Sequence, residues 1–274
     1  MLPVIRPDRR DLVVDAARVY ARIGCTLCET PAHVYLDGLR TGGSIHKDEV
    51  WVVQQLLDPA TSGTVYVIGA AFGFSSVVLA LHMPGARIVT VDNWSEGRDA
   101  PAARAVCEAL GAMREDPGAR LVFATGESPH DTTAVLASAG AGPVAVALID
   151  GLHTNEQLIA DIDGLAAHVD ERTVLLLHDV RLFELWGAVR HLAALSRFDT
   201  LVQLNTSTGM VAAFNRGHHA RGFAFLQETQ VVAHWRPELA AGAGPTTSYP
   251  ALAVDVEADR RERRYDSTER SVRP

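Results

Sequence analysis

Between Thr64 and Trp94 the chain reads TVYVIGAAFGFSSVVLALHMPGARIVTVDNW, and this stretch restricts the fold more than any other. An apolar run at 65–68 ends in the turn GAAFG at 69–73. A helix-like segment follows, then a second apolar run at 88–91, closed by Asp92. In order this is strand, glycine turn, helix, strand, acid. Glycine at a strand-to-helix turn lets backbone come close to a ligand. An acid ending the next strand can accept both hydroxyls of a ribose. The unit therefore predicts a site for a nucleoside-bearing ligand. A dinucleotide fingerprint, G-x-G-x-x-G/A, would need glycine where this chain has Ala71, which disfavours a pyrophosphate.

Strand and helix patterns alternate beyond this unit. Hydrophobic runs predict strands over 64–69, 86–91, 120–124, 144–149 and 172–178. Helices are predicted over 73–82, 100–112, 130–139, 154–167 and 181–196, preceded by helices at 8–23 and 46–57, the latter with Ser44 available as N-cap and Pro59 beyond its end. The stretch 25–43 reads as irregular. Such alternation implies a parallel sheet covered on both faces, an α/β doubly wound, Rossmann-like fold. Two short strands flanking NTSTG at 205–209 read as a closing antiparallel hairpin. The expected organisation is an N-terminal helical or lid segment at 1–43, a ligand-binding domain at 44–215 and an extension at 216–274. The end of that extension is rich in Gly, Pro, Ser, Thr and mixed charge and is expected to be partly mobile.

Composition excludes several classes. The chain has 274 residues, of which 47% are hydrophobic and 21% charged, enough for one sizeable core. No apolar run reaches membrane-spanning length and no signal-like segment opens the chain, so a cytoplasmic protein without a membrane partner is expected. A formal net charge of −8 argues against nucleic acid, which needs a basic surface. Three cysteines make a disulfide framework improbable. Positive charge is almost all arginine, Lys47 being the one lysine.

In open α/β sheets ligands bind outside the carboxyl ends of the strands. The predicted strand ends carry, in turn, Gly69; Asp92, Asn93 and Trp94; Thr125, Gly126, Glu127 and Ser128; Asp150, Gly151, Leu152 and His153; and His178 and Asp179. Adjacent strands lie about 4.8 Å apart, which brings Asp150, His178 and Asp179 together. Carboxylates with an imidazole can ligate a divalent cation, Asp oxygens suiting Mg²⁺ or Mn²⁺. His153, three residues after Asp150 at a helix start, is a candidate general base because imidazole titrates near neutral pH. Without a metal, the same two carboxylates would orient His153 or His178 by hydrogen bonds.

The spacing of Ile68, Gly69, Gly73 and Ser75 resembles the first motif of class I S-adenosylmethionine-dependent methyltransferases. The likeness covers roughly residues 44–215, and the five alternating units with a closing hairpin resemble that family's sheet. The resemblance implies S-adenosylmethionine as cofactor. Gly69 and Gly73 would face its methionine part, Asp92 the ribose, and Trp94 would cover the adenine; Ala71, Phe72, Ser75, Asn93, Gly126, Glu127, Ser128 and Asp150 complete the implied cofactor-binding set. Two residues before the first glycine, where the family often has an acid, stands Val67. The pair of segments around Asp150 to His153 and His178 to Asp179 further resembles a subgroup with catechol O-methyltransferase-like enzymes and metal-dependent O-methyltransferases of antibiotic sugars. By that resemblance Asp150 and Asp179 are catalytic metal ligands, His153 the base, and His178 a third ligand or a contact to cofactor or substrate. The implied reaction is in-line methyl transfer to a hydroxyl of a small-molecule acceptor, a sugar or other natural product. Oligomerisation is expected only by analogy.

Two other readings stay open: another reaction on the same cofactor, such as a cyclisation, and a non-catalytic ligand-binding member of the fold. Weaker signals are Cys25-x-x-Cys28 with His33, half of a zinc site lacking a visible second half, a lid built from Tyr20, Tyr35 and the stretch 25–43, and Trp186 beside the acceptor pocket.

Overall fold

The computed structural model describes residues 11–29, 34–36, 39–40, 45–95, 99–219 and 232–234. Helix α1 (Leu12–Arg22) starts at Asp11, whose carboxylate accepts from the N–H groups of Val13 and Val14. Those donors have no partner inside the helix, so the cap replaces them. Three short antiparallel strands follow, β1 (Leu27–Glu29), β2 (Val34–Leu36) and β3 (Leu39–Arg40). Strands of two or three residues are too short to show alternation, which is why this stretch reads as irregular. Helix α2 (Lys47–Leu56) is capped not by Ser44, which lies outside the described residues, but by His46, whose backbone N–H donates to Glu49 Oε2 at 2.8 Å.

From there strand and helix alternate: β4 (Gly63–Ile68), α3 (Phe74–His82), β5 (Ala86–Asp92), α4 (Ala100–Ala112), β6 (Leu121–Thr125), α5 (Thr132–Ser138), β7 (Val144–Ile149), α6 (Asn155–Gly164), β8 (Val169–Leu177), α7 (Trp186–Ala194), β9 (Thr200–Leu204), β10 (Val211–Phe214) and β11 (Val232–His234). The main sheet runs β11-β9-β10-β8-β7-β4-β5-β6. Strands β8, β7, β4, β5 and β6 are mutually parallel, and β10, β9 and β11 add antiparallel pairs at one edge. This is the doubly wound sheet with a closing hairpin that the sequence pattern predicts.

Alternate residues divide cleanly between two apolar layers, as strand geometry requires. Val65, Val67, Ile88, Val146, Leu148 and Leu176 pack with α1, α2, α3 and α4, while Tyr66, Ile68, Val89, Ala147, Ile149 and Leu177 pack with α5, α6 and α7. The chain leaves β4 toward β5 and β6 on one side and returns to β7 and β8 on the other. The order therefore reverses between β4 and β7, and a crevice opens past their carboxyl ends. Ile68 and Ile149 pair across that reversal, which sets Gly69 against Asp150. No described helix is long and apolar enough to cross a membrane.

Candidate active site

The turn after β4 is built by backbone that only small residues tolerate. Gly69 has φ 91° and Gly73 φ 81°, values that favour glycine. A Cβ on Gly69 would lie 2.0 Å from the Asp150 carbonyl oxygen. A Cβ on Gly73 would meet Leu110, Phe123 and Cys107 at 3.0–3.3 Å. Protein packing alone thus demands both glycines. Between them Ala71 is also left-handed, at φ 44°. The Tyr20 hydroxyl donates to the Phe72 carbonyl at 2.8 Å, so Tyr20 is a buried prop beneath the turn rather than part of a lid.

Asp92, ending β5, spans the crevice floor. Its Oδ2 accepts from the Ala70 N–H and its Oδ1 from the Trp94 N–H, both at 2.7 Å. Trp94 takes φ 55° and donates its indole N–H to Thr125 Oγ1 at 3.1 Å. Asn93 is exposed and accepts from Ser95. After β6, the Gly126 N–H continues the ladder onto the Asp92 carbonyl, and the N–H of the exposed Glu127 donates to Asp131 Oδ2 at 2.9 Å. Ser128 is buried and its carbonyl accepts from Gln157. Ser75 is buried in α3 and its hydroxyl accepts from the Ile45 N–H at 3.2 Å. It anchors the entry to α2.

Past β7 and β8 the structure gathers Asp150, His153, His178 and Asp179, each offering one ligand-type atom within 4.8 Å of the others. His178 Nδ1 lies 2.8 Å from Asp150 Oδ1 and its Nε2 2.8 Å from Glu49 Oε2. Carboxylates only accept, so this ring donates from both nitrogens. Glu49 Oε1 also accepts from the Thr208 hydroxyl in the β9–β10 loop. His153 Nε2 lies 3.1 Å from Asp179 Oδ2 and 3.5 Å from Asp150 Oδ1, without a well-angled hydrogen bond to either. Its ring stacks on Phe183 at 4.4 Å between centroids. Thr154, not His153, caps α6. Asp179 takes a left-handed backbone, φ 56°.

The electrostatics follow from this crowding. Burial would lower the His178 pKa, but Asp150, Asp179 and Glu49 outweigh it and hold the ring well above the ordinary imidazole range. His153 is treated likewise: burial pushes down, while Asp150 and Asp179 bring it up to about 9. Burial would raise the Glu49 carboxyl, yet the adjoining His178 and then His46 bring it down to about 2. Three carboxylates against two imidazoles leave the buried cluster short of positive charge.

Spacing cannot reveal Glu49 or Thr208, because each reaches the cluster from a distant element, whereas Phe183 follows Asp179 by four residues in the same segment. Glu49 lies 129 positions before His178. The one signal is an acid three residues after a helix cap that turns out to be buried. Of the zinc candidates, Cys25 is half-buried, and the Cys28 side chain and His33 lie outside the described residues. Trp186 opens α7, half-buried against the second apolar layer.

The sequence finds no match among curated proteins. Solved structures give low-identity likenesses. CalS11, a TDP-rhamnose 3'-O-methyltransferase of calicheamicin biosynthesis, is 18% identical, with 61% of this chain and 76% of that chain covered and a TM-score of 0.45. Cofactor-bound Rv0187 from MTB is 17% identical, with 77% and 92% covered and a TM-score of 0.49. The MycE methyltransferase of the mycinamycin pathway, in complex with Mg and SAH, is 15% identical, with 87% and 58% covered and a TM-score of 0.46. A family model described as a methyltransferase domain matches residues 66–180. The glycine turn, Asp92 and all four clustered residues fall inside that match, so the segment that carries the candidate site is similar to a methyltransferase domain.

Proposed function

We propose that the chain is an O-methyltransferase acting on a hydroxyl of a small molecule, a sugar or other natural product, with Asp150 and Asp179 holding a divalent cation and His153 serving as base. The observation that carries this reading is the buried acid–imidazole cluster at the reversal between β4 and β7, in backbone contact with the glycine turn. The donor set fits a cation. Asp150 Oδ2 is buried with no hydrogen-bond partner, an expensive state for a charged oxygen. The oxygens of Asp150 and Asp179 suit Mg²⁺ or Mn²⁺. His178, expected as a third ligand, has both nitrogens committed to carboxylates and is better suited to supporting Asp150. When bound, the cation would hold the acceptor oxygen and lower its pKa.

The residues do the rest by placement. Asp92 and the glycine turn would hold the cofactor beside the carboxyl ends of the strands, and the proximity of donor and acceptor would supply much of the catalysis. When bound, the cofactor would supply a methyl carbon open to in-line attack by the acceptor oxygen, the carbon–sulfur electron pair remaining on sulfur in the product S-adenosylhomocysteine. The hydroxyl proton passes to His153, which Phe183 and the two carboxylates hold in one orientation. Leu152, 51% exposed beside Asp150, gives an acceptor an apolar surface at the rim.

The test is calorimetry with S-adenosylhomocysteine and then Mg²⁺ or EDTA, with methyl transfer to catechol and sugar acceptors followed by product formation. Asp150→Asn and Asp179→Asn should abolish transfer, about 10³-fold or more for loss of a charged group at the reacting centre, with S-adenosylhomocysteine still bound. Transfer undiminished in EDTA would remove the cation from the mechanism. Undiminished transfer by both variants would sink the assignment of the site.

A further inference from the structure

The geometry points to Glu49 as a positioning residue for the catalytic centre: through His178 it fixes the Asp150 carboxylate, committing Oδ1 to the ring and leaving Oδ2 available to the reaction. The inference rests on the reading of Asp150 as a ligand given above. Glu49 belongs to α2, outside the segment that matches the methyltransferase model. It is fully buried, and a buried carboxylate is kept only where partners hold it. Its partners hold it from three elements: the His46 N–H at 2.8 Å, the His178 ring at 2.8 Å and the Thr208 hydroxyl. A glutamate that serves only a helix cap has no need of the last two.

The effect on the site follows from the ring. An imidazole bonded at one nitrogen can still rotate or flip about its axis. Bonded at both, between Glu49 and Asp150, it has one orientation and acts as a strut. Partners of this kind, behind a liganding group, commonly set its direction and its affinity. The strut also accounts for a histidine at position 178, deeper than His153, where a ligating side chain would be expected. While both bonds stand, its nitrogens have no lone pair to offer a cation.

The test uses the full chain and Mn²⁺ alone as probe, by titration calorimetry, with S-adenosylhomocysteine binding measured alongside. Glu49→Ala should weaken Mn²⁺ binding about tenfold or more, leaving S-adenosylhomocysteine affinity essentially unchanged. Glu49→Gln, whose amide can meet the same ring and hydroxyl, should restore most of the loss. Equal Mn²⁺ affinity in wild type and Glu49→Ala overturns the inference. So does parallel loss of both ligands in both variants, which marks a residue needed only for folding. Nitrogen-15 spectra of the metal-free wild type give a readout independent of metal and of any variant's stability. Near neutral pH both ring nitrogens of His178 should carry hydrogen, and a bare Nε2 overturns the strut. Should the wild type bind no Mn²⁺, the cation part of the proposed function falls and these spectra alone decide the role of Glu49.

Discussion

Asp92 shows how one side chain can be legible in position and not in duty. Its place at the end of the second strand of the unit is readable from spacing alone. Its bonds to the Ala70 and Trp94 N–H groups depend on left-handed backbone at Ala71 and Trp94, which no residue type announces. Alanine at position 71 hides the turn's conformation, because left-handed φ is read from glycine or asparagine. Hydrogen bonds to a charged acceptor are worth about 1.5–3 kcal/mol each. Asp92→Ala should therefore lower stability by about 3 kcal/mol as well as weaken S-adenosylhomocysteine. Asp92→Asn, which keeps one acceptor, should recover stability before it recovers affinity. Chemical denaturation and calorimetry on the two variants separate these effects, and full stability in Asp92→Ala would show that the two bonds contribute nothing.

At the level of elements, the parallel strands and their helices are legible because long apolar runs leave little choice. The observed β5, β7 and α4 begin where their patterns begin. The three short strands after α1 are not, being too short to show alternation, and neither is the tie from α2 through Glu49 to the β9–β10 loop, which rests on a contact between distant segments. Side-chain burial also separates Ser75 from the glycine turn although both belong to one motif. The contact between the turn and β7 gives the sharpest prediction here. Gly69→Ala would set a methyl 2.0 Å from the Asp150 oxygen and 2.7 Å from its carbon, both backbone atoms, at φ 91°. Backbone cannot yield as a side chain does, so the loss should exceed about 3 kcal/mol and appear as a large fall in melting temperature. Gly140→Ala, at φ 61° with nothing within 4 Å, carries only the conformational penalty of about 1 kcal/mol and serves as the comparison.

For the whole molecule, the charged cluster ties folding to pH. In metal-free protein His153 is raised from 6.5 to about 9, so its contribution is fully present below pH 6.5 and is lost as pH rises through about 9. His178, also raised, acts in the same direction. Glu49, lowered from 4.5 to about 2, contributes above pH 4.5 and loses its effect as pH falls through about 2. Melting temperatures in EDTA should decline from near-neutral to alkaline pH, and His153→Asn should flatten that decline. A wild-type profile level across this window would contradict the ion-pair geometry. The shared backbone contact between Gly69 and Asp150 has one last consequence, for anyone redesigning the enzyme. On the function proposed above, the methyl-donor half and the acceptor half of the site would share this contact as a common hinge pin, so changes to the end of β7 should disturb the grip on the donor too. New acceptors are better sought by varying the exposed Leu152, two residues beyond Asp150, than the turn or the end of β7.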